Sequence, residues 1–82
     1  MVYTENFKKH FTHWLQNNRK IAEKILGLIK AIENDPLDGI GKPNPLAHAL
    51  SGCWSRRINK EHRLVYRLKN DEVQLLVCHF HY

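Results

Sequence analysis

Residues 41–66 read GKPNPLAHALSGCWSRRINKEHRLVY, and the fold turns on how this stretch divides. Pro43 and Pro45 lack an amide hydrogen and push the residues before them into extended backbone, so the segment opens as a loop. Beyond Gly52 the pattern predicts a strand over 53–59, a turn at 59–62 and a second strand over 63–69. Trp54 and Ile58 fall on one side of this hairpin, with Val65 and Tyr66 following. The stretch also carries Lys42, Arg56, Arg57, Lys60 and Arg63, with Arg67 just beyond, against the single acid Glu61. An arginine-dominated hairpin beside a proline-stiffened loop has the make-up of a polyanion site. A solvated charged face on an ordinary hairpin fits the same pattern.

Downstream, residues 69–72 read as a second turn and 73–80 as a third strand, in which Val73, Leu75 and Val77 alternate with Gln74, Leu76 and Cys78. Apolar residues on both faces make this strand central or well covered. The chain closes on HFHY, where alternation puts His79 and His81 on one face and Phe80 and Tyr82 on the other. His-x-His can ligate a metal, but no third ligand stands out, so no metal is expected. A second reading places an imidazole and a phenol beside the arginine hairpin, a proton donor and a charge stabiliser at one phosphate. An inert terminus is the third.

Upstream, Val2 and Tyr3 allow a short initial strand, and Thr4 or Asn6 can cap a helix. Phe7, Phe11, Trp14 and Leu15 form one helical stripe, with His10 and His13 beside it as polar-face residues. Asn17 and Asn18 break the pattern before a second stripe, Ile21, Ile25, Leu28, Ile29 and Ile32, giving an antiparallel helix pair. Gly27 in that helix suggests a close backbone neighbour. Asn34, Asp35 and Pro36 end it. Residues 37–51 read as a functional loop with a short helical turn at 46–50, pinned by Leu46 and Leu50.

Eighty-two residues, 43% apolar, make one small folded domain spanning 1–82. The formal charge of +5 is unevenly placed: residues 1–41 carry +1 and residues 42–82 carry +4. The excess lies in the β half, which favours an RNA or acidic-protein partner for the sheet. No transmembrane or signal-type apolar run is seen, so the expected location is the cytoplasm, with no membrane partner. Cys53 and Cys78 read as reduced core thiols.

Taken together, LSGCWSRRI, EHRLVY and the terminal HY resemble the YoeB toxins of the RelE superfamily, and the resemblance covers essentially the whole chain. It implies an α+β fold: a short N-terminal strand, a two-helix hairpin and a three-strand antiparallel meander in one twisted sheet. It implies a toxin of a type II toxin–antitoxin system, a ribosome-dependent mRNA endoribonuclease acting beside 16S rRNA on mRNA in the A site. A YefM/Phd-like antitoxin is the implied partner, a homodimer is left open, and no cofactor is needed. The implied reaction is attack of a nucleotide's 2′-hydroxyl on the adjacent phosphate, giving a 2′,3′-cyclic phosphate and a 5′-hydroxyl. It needs a base, cations for the phosphorane and an acid for the leaving oxygen.

By the resemblance, Arg63 stabilises the phosphorane, Arg57 is a second active-site arginine, His81 is the general acid and Tyr82 orients the substrate. Arg56, Lys42 and His48 join the phosphate-binding set. Two positions depart from the family. Asn44 stands where it carries a general-base glutamate, and Ala47 where it carries a phosphate-binding lysine. An amide takes up no proton at neutral pH, and alanine offers neither charge nor donor. His48 is close enough along the chain to stand in as a base, a reading ranked below loss of the base. Two classes result: an attenuated mRNA endoribonuclease, or a catalytically inactive toxin-fold protein that binds antitoxin and ribosome. A generic RNA-binding protein is a third.

Overall fold

The structure, a computed structural model, describes residues 1–47, 50 and 52–80. Its elements run β1 (Val2–Tyr3), α1 (Glu5–Asn17), α2 (Arg19–Asn34), β2 (Asn44–Pro45), β3 (Cys53–Arg57), β4 (Arg63–Lys69) and β5 (Glu72–Phe80). Thr4 starts α1: its hydroxyl oxygen accepts from the Phe7 N–H at 3.3 Å and donates to the Leu75 carbonyl at 2.8 Å, tying the helix start to β5. Asn18 ends one helix and begins the next, its side chain accepting from the Ile21 N–H.

The sheet has five strands in the order β1-β5-β4-β3-β2, with β1 parallel to β5 and the other pairings antiparallel. The expected three-strand meander is its centre. The initial strand adds one edge, and part of the expected loop adds the other, because the extended backbone that Pro43 and Pro45 impose pairs Asn44 with Ser55 and Pro45 with Trp54. A proline is tolerated there because an edge strand has a side that needs no donor. Asn70 and Asp71 both take positive φ (53° and 63°) between the paired Lys69 and Glu72, a two-residue turn whose twist suits the hairpin.

Helices cover one face of the sheet. Ile25, Leu28 and Ile32 of α2 are fully buried with Leu64, Tyr66, Leu75 and Cys78 of the sheet, and Phe7 and Trp14 close the core from α1. Each such aliphatic burial contributes roughly 1.5–3 kcal/mol. The alternation expected for the last strand does not persist. Register shifts lie between Arg63 and Val65 and between Val65 and Tyr66, so Val77 pairs with Val65 on the far face while Cys78 joins the core. A bulge inserts one residue and exchanges the faces of the residues beyond it.

Two further expectations are corrected. Gly27 is exposed, and a Cβ built there meets nothing within 4 Å, so no backbone approaches it. Leu50 does not pin the loop, being 40% exposed. Hydrogen bonds from Arg56 and Tyr66 hold its first part instead.

Candidate nucleic-acid interface

Alternation gives the hairpin two unlike faces. Trp54, Arg56, Ile58, Leu64 and Tyr66 point toward the helices and the preceding loop, while Ser55, Arg57, Arg63, Val65 and Arg67 point away. Arg57 and Arg63 are direct register partners, the first exposed and the second half-buried. Like charges set opposite each other work against a sheet. Among the described residues no carboxylate pairs with Arg57.

The edge strand extends the same face. Asn44 is exposed and in register with Ser55, which places its side chain on the Arg57 side of the sheet. The Arg57 N–H donates to the Gly41 carbonyl at 2.7 Å, keeping the loop against β3 as far as Arg57. Exposed Lys42 comes next with φ 51°, a left-handed conformation that costs a non-glycine residue roughly 1 kcal/mol or more. Exposed Ala47 lies toward the other end of β3, since the neighbouring Leu46 N–H bonds the Cys53 carbonyl. Lys42 and Asn44 are thus close to the arginine pair, and Ala47 is not. Arg67, opposite Cys53 and exposed, is a third guanidinium on this face. Counting 63, 65, 67 at period two was enough to find it.

Arg56 does not belong to this set. It is fully buried, and its guanidinium is spent on structure: Nε donates to the Tyr66 hydroxyl, Nη1 to the Ile40 carbonyl, and Nη2 to the carbonyls of Asp35 and Asp38. The Tyr66 hydroxyl donates in turn to the Pro36 carbonyl. Burial pushes the Tyr66 phenol above its ordinary pKa, against the opposing pull of Arg56. A position one residue from Arg57 necessarily faces the other way, and there the cation replaces absent backbone partners for residues 35–40. The expected phosphate role is corrected accordingly.

His10 and His13 are not simple polar-face residues either. Their rings meet His79 of β5 at centroid distances of 5.8 and 5.0 Å, and His79 also meets Trp14 (5.0 Å) and His62 (4.7 Å). Four imidazoles and Trp14 thus form one cluster about His79 at the junction of α1 and β5. Their sequence positions are too far apart for any motif to show it. Among the described residues no group of three or more ligand-type side chains is arranged to hold a metal. Cys53 and Cys78 are free and buried, and burial pushes the Cys78 thiol up to about 12, which leaves it unreactive at neutral pH.

Phe80, the last described residue, pairs with Arg63. The readings of His48, His81 and Tyr82 lie outside the described residues. No helix among the described residues is long and apolar enough to cross a membrane.

A five-strand mixed sheet with two helices on one face and a cationic opposite face defines a small RelE-like toxin domain. Residues 3–82 match the family model described as the YoeB-like toxin of bacterial type II toxin–antitoxin systems. Toxin YoeB of Synechocystis is 49% identical over 82 residues, covering 100% of this chain and 95% of that protein. A YoeB/ParE toxin from Agrobacterium tumefaciens superposes with a TM-score of 0.94 at 37% identity, covering 99% and 96% of the two chains. YoeB of Staphylococcus aureus, solved in complex with YefM and as a dimer, superposes with TM-scores of 0.88 and 0.89 at 39% and 38% identity. Each of those matches covers 99% of this chain and 94% of the other. The chain belongs to the YoeB-like toxins of bacterial type II toxin–antitoxin systems.

Proposed function

We propose that this toxin is a ribosome-dependent mRNA endoribonuclease, attenuated by Asn44 and Ala47. The observation that carries this reading is the Arg57–Arg63 pair, two guanidinium groups in direct register on the sheet face turned away from the helices. A scissile phosphate seated across them has its developing negative charge met by donors already in place, the arrangement that stabilises a pentacovalent phosphorane. The 2′-hydroxyl attacks phosphorus, the bond to the 5′-oxygen breaks, and the departing oxygen takes a proton from His81, next in sequence after Phe80. Tyr82 orients the substrate. The proton released by the 2′-hydroxyl has no carboxylate at residue 44 to receive it. Loss of a general base typically lowers a rate by roughly 10²–10⁴. No metal or cofactor is called on.

The partners in this reading are the 30S A site, reached by the basic face, and a YefM-like antitoxin. The complex and dimer known for the Staphylococcus aureus relative support an antitoxin partner and a homodimer here. One observation favours a second reading. The exposed amide at residue 44 leaves the site without its base, as in an inactive toxin that only binds antitoxin and ribosome. Single-turnover cleavage of mRNA on programmed ribosomes separates the two. The nuclease reading expects slow cleavage giving 2′,3′-cyclic phosphate ends, abolished by Arg63→Ala. Ribosome binding with no cleavage product at any enzyme concentration favours the second.

A further inference from the structure

The last strand meets α1 through the backbone of a single residue. The Cys78 N–H donates to His10 Nδ1 at 3.1 Å, and the Cys78 carbonyl accepts from Trp14 Nε1–H at 2.8 Å. His10 and Trp14 are four residues apart, stacked on one face of the helix. Both polar groups of Cys78 are therefore bonded by helix side chains. The sheet register slips at the same place. Val65 pairs with Val77 and Arg63 with Phe80, so three steps along β5 match two along β4. The bulge sits where the two helix side chains grip the strand.

We propose that His10 is a positioning residue: by accepting the Cys78 amide proton it fixes the bulge at the end of β5, and so the placement of Phe80 beside Arg63, from which the chain continues to His81. This deepens the nuclease reading above and rests on it. An Nδ1 that accepts carries no proton, so the clamp requires the neutral ring with its hydrogen on Nε2. Protonation of Nδ1 sets donor against donor and opens the clamp.

The groups that face His10 act in the same direction. His13 lies on its own helix, His79 comes from β5, and His62 from the β3–β4 turn touches His79. Burial first, then the charges of His79 and His13, hold the pKa of His10 below its ordinary 6.5. The Cys78 thiol, pushed up to about 12, stays neutral throughout. The clamp is thus closed at neutral pH and released on acidification, when the His10 ring takes up a proton.

The test is nitrogen-edited NMR of the full chain between pH 8 and 5, then cleavage assays. The amides of Cys78, His79 and Phe80 should shift with the midpoint of His10, below 6.5. His10→Gln keeps an acceptor without a titration. It should preserve slow exchange of the Cys78 amide and abolish that midpoint, whereas His10→Phe should speed the exchange at least about tenfold, the loss of one hydrogen bond of roughly 1.4 kcal/mol. Amides that ignore the His10 titration, or a midpoint unchanged in His10→Gln, overturn the inference. In an Asn44→Glu background, His10→Phe should slow single-turnover cleavage about tenfold at unchanged ribosome affinity, as a misplaced acid would, with His10→Gln near the parent. An equal loss of affinity marks a merely structural role and also overturns it. Absence of cleavage in every variant, with the amides still tracking His10, overturns the nuclease reading and leaves the clamp standing.

Discussion

Arg56 Nε donates to the Tyr66 hydroxyl at 3.2 Å, and that hydroxyl passes its own proton to the Pro36 carbonyl at 2.6 Å. The two residues sit on neighbouring strands, β3 and β4, and between them they hold four carbonyls of residues 35–40. The loop that leads into the edge strand therefore has no core of its own. It hangs on a buried cation and a phenol.

Arg56→Met should for that reason unfold the protein far more readily than Arg57→Ala. It strips hydrogen bonds from three carbonyls at once, and each buried polar group left unsatisfied costs about 1–3 kcal/mol. A loss of roughly 3–5 kcal/mol is expected, close to that for breaking a buried ionic network. In a domain this small it corresponds to a fall in Tm of at least about 12 °C. Arg57, exposed and outside that network, should change stability by less than about 0.5 kcal/mol. Thermal melts of the two variants side by side check the contrast; equal losses would place Arg56 with the surface arginines after all.

Stability should fall on acidification because of His10. Its pKa is lowered in the folded chain, so below the ordinary 6.5 the unfolded chain binds a proton that the native chain refuses. The stability contributed by the neutral ring is fully present above pH 6.5 and declines as the pH drops beneath it. Urea titrations between about pH 8 and 5 should show this decline in the parent and a shallower one in His10→Gln. Parallel slopes in the two would contradict the role given to this ring.

Gly27→Ala should stabilise. The position is exposed within α2, its φ is ordinary for a helix, and a Cβ there has open space on every side. The gain should be about 0.5–1 kcal/mol, the difference in helix propensity between the two residues. A melt that is unchanged or lower would show that a contact unseen in the isolated chain uses this glycine.

What could be read from the sequence was whatever repeats locally. The stripes of α1 and α2, the cap at Thr4, the break at Asn17 and Asn18, the turn at 69–72 and the β3–β4 hairpin all come from spacing and side-chain chemistry within a few residues. The central place of β5 came from its two apolar faces. The Arg57–Arg63 pair needed the register, which the hairpin length nearly supplies. What stayed hidden depends on distant residues. The burial of Arg56 is decided by a loop some twenty residues upstream that lacks backbone partners. The imidazole cluster joins α1, the β3–β4 turn and β5. The slip at Cys78 lies beside His10 and Trp14, and the earlier one, between Leu75 and Val77, is what defeats simple alternation for Val77 and Cys78.

The sharpest expectation concerns Asn44 and Ala47. Asn44 lies on an exposed edge strand, on the Arg57 face and one row from the arginine pair, and on the proposed nuclease reading a carboxylate there takes the proton of the 2′-hydroxyl. Asn44→Glu should raise single-turnover cleavage by at least about tenfold, toward the roughly 10²–10⁴ that a general base supplies. Neither position is buried, so folding should be unaffected. Ala47 is three residues on, about 10 Å along an extended chain, at the Cys53 end of the edge. A lysine there would meet a neighbouring phosphate rather than the scissile one. Ala47→Lys should therefore tighten ribosome binding and steepen its salt dependence, by a log–log slope of roughly 0.7–0.9 for one added contact, with little change in the cleavage step. Because the two sites are this far apart, their effects should combine nearly additively in the double variant. Cleavage rates and binding constants at several salt concentrations, for both single variants and the double, provide the check. If the unaltered chain already cuts as fast as Asn44→Glu, residue 44 is not the position of the base, and proton removal must be sought at His48 or left to the arginines.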